Sequence, residues 1–242
     1  MAQRRRLAGS LGAAALVLAA AGAFWLDREA ALSNLPMAVG SGGADAALPR
    51  GAGFDFYVLS LSWSPSYCAA EGEDASRQQC DTKKPHGFIV HGLWPQYERG
   101  YPTDCPTDRP DVPQATLRSL YDLIPSAGLI GHQWRKHGSC SGLSQEDYFG
   151  ALRAARERVA IPGAYANPAT PRELDPDAVE TSFLADNAGL PADGIAVTCD
   201  RRYLREVRIC LTRDLAFRGC PEVDRRACQL PEALMPAPGD AG

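Results

Sequence analysis

Eight cysteines constrain this chain more than any other feature. Cys68, Cys80, Cys105, Cys140, Cys199, Cys210, Cys220 and Cys228 form an even set with no C-x-x-C pair and no two closer than eight residues. That spacing argues against a zinc ribbon and for a disulfide framework made in an oxidising compartment. Four bridges are the simple count. Eight cysteines allow about a hundred pairings, and their order in the chain does not choose among them.

The N-terminus agrees with that compartment. Arg4, Arg5 and Arg6 precede an uncharged apolar run from Leu7 to Leu26, the layout of an export signal, with Ala21 and Ala23 suited to cleavage. The run is also about long enough to cross a bilayer if it is kept. Residues 1–26 are therefore read as a signal peptide or an N-terminal anchor. Both readings put the rest of the chain outside the cytoplasm, periplasmic or secreted, with a membrane contact only if the segment is uncleaved. Residues 27–53, rich in Gly, Ala, Ser and Pro, read as a flexible linker. Residues 54–242 are long enough for one domain with a sizeable core, and a monomer is expected. Removing residues 1–26 takes three arginines and no acid from the chain's 25 basic and 29 acidic residues, which leaves 22 against 29 and a formal charge of −7. Such a domain is no bulk polyanion binder, so any phosphate must be held by a local cationic cluster.

Hydrophobic periodicity predicts a mixed domain. "FDFYVLSLSW" is apolar on both faces and reads as a central strand, "GFIVHGLW" as a second short strand, and "DGIAVTC" and "YLREVRICL" as a hairpin across "DRR". Helices are expected over "QATLRSLYDLIP", over "SQEDYFGALRAARERVA", with a capping-box-like Ser144 and a stripe of Tyr148, Leu152, Ala155 and Val159, and over "DPDAVETSFLADNAG", with Asp175 as cap and Gly189 as stop. No repeat and no regular β-α-β alternation is visible. The fold class is α+β, a central, mainly antiparallel sheet packed with several helices and disulfide-bonded.

All four histidines lie in two segments, "HGFIVHGLWPQ" (His86 and His91) and "HQWRKHGSC" (His132 and His137). On a helix His132 and Lys136 share one face, Gln133 and His137 the next, and Trp134 and Arg135 point away. A zinc-protease site needs histidines at i and i+4 with a glutamate between them; here they are five apart with Gln133 beside them. A better fit is acid and base chemistry on a phosphodiester whose nucleophile belongs to the substrate. RNA carries a 2′-hydroxyl next to its phosphate, so two imidazoles to move protons and one fixed cation suffice, with no metal and no cofactor. DNA lacks that hydroxyl and should not be cut.

"FIVHGLWP" and "HQWRKHGSC" resemble the two active-site segments of the ribonuclease T2 family, secreted acid endoribonucleases that need no metal. "LSLSWSPSYC" and "YLREVRIC" resemble that family's first and last core strands, so the likeness runs from about Phe54 to Cys228. It implies that His91 is the general acid and His137 the general base. Lys136 and His132 would hold the phosphate, and Trp94 would line a base site for single-stranded RNA. It also implies bridges Cys68 to Cys80, Cys105 to Cys140, and a nested pair, Cys199 to Cys228 and Cys210 to Cys220.

The departure is Gln133, where the family pattern has glutamate. Glutamine keeps the shape and an amide donor but loses the charge and the titration, so a slower enzyme with a shifted acidic optimum is expected. The competing reading is a catalytically impaired member of the same fold that holds RNA or a protein partner. His86 is divided between an exposed loop residue and a substrate contact. Trp134 is expected to pack, and Lys83, Lys84 and "RAARER" to face solvent.

Overall fold

A computed structural model of the chain describes residues 48–81 and 83–239. The expected signal or anchor, and the linker up to residue 47, lie outside the described residues. Of the remaining linker stretch, Ala52 N donates to Ser141 O at 2.9 Å and Arg213 reaches Gly51 O. The domain's own contacts therefore begin upstream of Phe54.

In chain order the elements are β1 (Phe56–Trp63), α1 (Ser64–Glu71), α2 (Arg77–Cys80), β2 (Phe88–Gln96), α3 (Gln114–Leu120), α4 (Ala127–Lys136), α5 (Gln145–Arg158), α6 (Gly163–Ala166), β3 (Arg172–Leu174), α7 (Pro176–Asp186), β4 (Ile195–Cys199), β5 (Leu204–Leu211), α8 (Pro221–Asp224) and β6 (Ala233–Met235). Four strands make an antiparallel sheet in the order β2-β1-β5-β4, and β3 pairs with β6 in a second, two-stranded sheet. β1 is central, as its two apolar faces predict. Tyr57, Leu59, Leu61 and Trp63 enter the main core, while Phe56 and Val58 join a small cluster with Cys210 and Cys220 on the opposite face.

Helices cover the first face. In α5 the cap at Ser144 accepts from Asp147 N at 3.1 Å, a bond that stabilises a helix start by about 1 kcal/mol. Its stripe of Tyr148, Leu152, Ala155 and Val159 is buried against the sheet. The expected helix α7 ends at Asp186, short of Gly189, because the Asn187 amide takes over an end carbonyl, that of Phe183, and ties Ala160 through both its groups. The expected helix from Gln114 also stops early, at Leu120. The chain must leave the helix there so that Leu123 O can accept from Val90 N at 3.0 Å, an N–H that edge strand β2 would otherwise leave unpaired.

Four disulfides form: Cys68–Cys80, Cys105–Cys140, Cys199–Cys228 and Cys210–Cys220. The last two nest around the end of the sheet that carries β5 and α8.

Candidate active site

β2 carries two of the side chains, and a bulge decides where they point. In its pairing with β1, Ser60 faces Gly92 and Leu61 faces Val90, so His91 is the extra residue. A bulge resets the two-residue alternation of a strand and re-aims side chains beside it. Val90 and Leu93, three apart, therefore both enter the core. His91 and Trp94, also three apart, both turn to the opposite face and line one cavity of about 340 Å³.

The helix α4 supplies the facing wall. Its cap, Ser126, accepts from Leu129 N, and Trp134 is buried in the core with Nε1 donating to Arg109 O at 2.6 Å. That anchor on the back of the helix turns His132, Gln133 and Lys136 to the cavity. The helix ends at Lys136; His137 takes φ −123° and ψ −49°, its N donating to Gln133 O, and a tight turn follows over Gly138–Ser141. Cys105–Cys140 ties that turn to the loop after β2, and Asp104 N donates to Lys136 O at 2.9 Å. The same loop brings Tyr97 and Tyr101 to the rim. Cys210–Cys220 brings Glu222, Val223 and Arg226 to the other rim.

Two of the three histidines that line the cavity, His91 and His137, flank the Trp94 ring. Ring centroids lie 5.2 Å from Trp94 to His91 and 5.3 Å from Trp94 to His137, so the two imidazoles are no farther apart than those two distances combined. Trp94 is itself fixed, its Nε1 donating to Gln133 Oε1 at 2.7 Å. The approach needs glycine at position 92, where a Cβ would collide with both Gln133 Oε1 and Trp94 Nε1.

The electrostatics of the histidines differ. His137 is buried, with Nδ1 shielded from solvent and without a partner. Its pKa is pushed down to about 3, first by burial and then by the charges of Lys136, His91 and His132, with Asp104 opposing. His132 is exposed and lowered as well, by partial burial first and then by Lys136, Arg135 and His91. His91 instead has a carboxylate partner: its Nδ1 meets Glu206 Oε1. Burial alone would raise the Glu206 carboxyl. The hydrogen bond and charge of His91, with the charge and hydrogen bonds of Arg208, outweigh that and bring it to about 2.

Of the residues singled out from the sequence, His91, Trp94, His132, Gln133, Lys136 and His137 are brought together, and His86 is not. It precedes β2 and lies in a small recess with Pro65 and Cys80, its pKa lowered by burial. Glu206 and Arg208 were not singled out. Their signal was present: in "LREVRICL" Glu206, Arg208 and Cys210 alternate onto one face of the strand, and that face is the one the cavity uses.

Comparison with known proteins accounts for this arrangement. The chain is 37% identical over 202 residues to a ribonuclease of Aeromonas hydrophila, covering 75% of this chain and 85% of that one. It is 27% identical over 243 residues to ribonuclease I of Escherichia coli, covering 79% and 88%. The fold matches that of an RNase-related protein from Calystegia sepium with a TM-score of 0.61 at 20% identity, over 76% of this chain and 98% of that one. The model of the ribonuclease T2 family matches residues 54–220, which take in the bulged strand, the helix that faces it and the strand that carries Glu206; the chain belongs to the ribonuclease T2 family.

Proposed function

We propose that the protein is a metal-independent endoribonuclease, exported from the cytoplasm, that cleaves single-stranded RNA by transesterification through a 2′,3′-cyclic phosphate. The observation that carries this reading is the convergence of His91, from β2, and His137, from the end of α4, on one cavity beside Lys136.

The chemistry follows from the charges. With Nδ1 of His137 buried, Nε2 is the nitrogen left to meet the substrate, and a low pKa keeps it free of a proton in acid. It takes the proton of the 2′-hydroxyl. The O2′ to phosphorus bond forms, the bond from phosphorus to O5′ breaks, and His91 gives the leaving oxygen its proton. Each transfer contributes roughly 10²–10⁴ in rate. The Lys136 ammonium and His132 stabilise the added negative charge on the phosphoryl oxygens, and the Gln133 amide has an NH₂ to offer the same oxygens while its Oε1 is held by Trp94. Trp94, Tyr97 and Tyr101 give a base aromatic faces to stack on, worth about 1–3 kcal/mol and tolerant of base identity. Low base specificity is therefore expected.

Single-stranded homopolymers incubated with the protein in EDTA test the reading. Cleavage to fragments ending in 2′,3′-cyclic phosphate and 5′-hydroxyl, with single-stranded DNA left intact, is the expected result. Retention of RNA without cleavage would assign a binding protein, and activity abolished by the chelator would assign a metal-dependent hydrolase.

A further inference from the structure

We infer that Glu206 is the positioning residue for His91, fixing which ring nitrogen faces the substrate and holding the imidazolium ready to donate, with Arg208 keeping the carboxylate ionised. The inference rests on the assignment of His91 as proton donor.

The sheet order makes the contact possible. His91 is on β2 and Glu206 on β5, and β1 lies between them, so the two strands are about 10 Å apart. A histidine and a glutamate can meet across that gap only if the intervening strand keeps the space clear. On the cavity face β1 runs Phe56, Val58, Ser60, Ser62. Ser60 stands between Gly92 and Arg208, and Ser62 between Ile89 and Glu206. The two small residues of that face are the two beneath the contact.

Glu206 is buried, and both its oxygens are used. Oε1 takes His91 Nδ1; Oε2 takes Arg208 Nε at 2.9 Å and Nη2 at 2.7 Å. A carboxylate only accepts, so Nδ1 of His91 must carry a hydrogen. Nε2 is then the nitrogen that gains and loses the catalytic proton. Arg208 is held in turn, its guanidinium 5.3 Å over the Trp94 ring. The charged and titrating groups that share the two cavities with His91 are Arg205, Glu206 and Arg208 from β5, Tyr67 and Glu71 from α1, Tyr97 and Tyr101 after β2, His132, Lys136 and His137 from α4 and its end, and Glu222 and Arg226 from α8 and just after it. In that set the carboxylates are Glu71, Glu206 and Glu222; Glu71 is bound to Arg205 and Glu222 to Arg226, and of the three Glu206 alone touches His91.

The test is the full chain carrying Glu206→Gln, read by kcat and KM against pH on RNA and by NMR titration of the His91 ring. The expected result is a loss of about 10–100-fold in kcat, the range for removing a hydrogen-bonded partner that orients a functional imidazole, with KM little changed. The alkaline limb, assigned to His91 as the proton donor, moves to lower pH, because the variant removes the carboxylate that faces the ring. Arg208→Gln should move the same limb the other way, because it removes a cation near His91 and leaves the carboxylate uncompensated. A purely structural role would give neither displacement. An alkaline limb and a His91 titration unchanged in both variants would overturn the inference. Failure of the unmodified chain to cut RNA would count against the ribonuclease reading instead, and the NMR titration tests Glu206 in that case too.

Discussion

The two walls of the cavity hold the same side chain in opposite ways. On the sheet side His91 is half-exposed and tied to a buried carboxylate that is itself clamped by a guanidinium. On the helix side His137 is buried against Trp94, among cations, with one ring nitrogen unpartnered. Two identical imidazoles take different proton roles when their surroundings differ. Here one wall sets a buried carboxylate against the ring, and the apolar, cationic surroundings on the other favour a neutral ring. On the proposed mechanism, that contrast is the division of labour between acid and base.

The strongest way to break that comparison is to change the leaving group. On RNA, His91→Ala and His137→Ala should each lose about 10²–10⁴ in kcat. On a nucleoside 3′-phosphate ester of nitrophenol, whose leaving oxygen needs no proton, His91→Ala should recover to within about tenfold of the parent while His137→Ala stays inactive, since a base is still required. Recovery of His137→Ala in place of His91→Ala would exchange the two roles.

The helix wall was far more legible in the sequence than the sheet wall, for a physical reason. A helix shows its faces through a fixed angular step, so "HQWRKH" already separates the cavity residues from Trp134, which is buried. The four predicted strands of the main sheet, the hairpin across "DRR" and the cap at Ser144 are local patterns and could be read the same way. What the β-sheet wall needs is non-local. The contact between His91 and Glu206 joins residues 115 positions apart and depends on strand order, on a bulge at His91 and on two serines in the strand between. "YLREVRICL" shows charged residues alternating in a strand, which solvent exposure would explain as well. Nor could the sequence order show that His86, two residues before β2, is carried away from the cavity that His91 enters.

A second comparison separates the walls by stability. A histidine whose pKa is lowered by folding binds fewer protons folded than unfolded. Stability is therefore complete above the ordinary value of 6.5 and declines as pH falls toward about 3. A carboxylate lowered by folding has the same sign in a lower window: the contribution of Glu206 is present above the ordinary 4.5 and is lost as pH falls toward about 2. Between about pH 6.5 and pH 4.5 the helix wall alone of these two should weaken, by on the order of 1–3 kcal/mol. Thermal melts of the parent and of His137→Leu check this. The difference in Tm between them should change by several degrees across that interval, with the parent declining more steeply. Parallel curves would mean that His137 does not enter the fold as the neutral form.

The smallest expected effect bears on Gln133, where the family resemblance read from the sequence calls for glutamate. Gln133 is buried, and its Oε1 already accepts from Trp94 Nε1, so Gln133→Glu can keep that bond and the shape of the wall while adding a negative charge. The charge would lie on the helix face next to His137, where Lys136 and two further imidazoles now depress the titration. A carboxylate there favours the imidazolium and raises the His137 pKa, which makes the helix wall more like the sheet wall. Two consequences follow with opposite signs. A base whose pKa is nearer the working pH accepts a proton more readily, so kcat/KM near pH 6 should rise by about two- to tenfold. The same base is protonated sooner in acid, so the acid limb moves to higher pH and the gain vanishes below about pH 4. Rates measured against pH for the parent and Gln133→Glu, with crossing profiles, would show that glutamine at this position trades speed near neutrality for a base that stays free in acid. A uniform change at every pH would mean that Gln133 acts on the phosphoryl oxygens and not through His137.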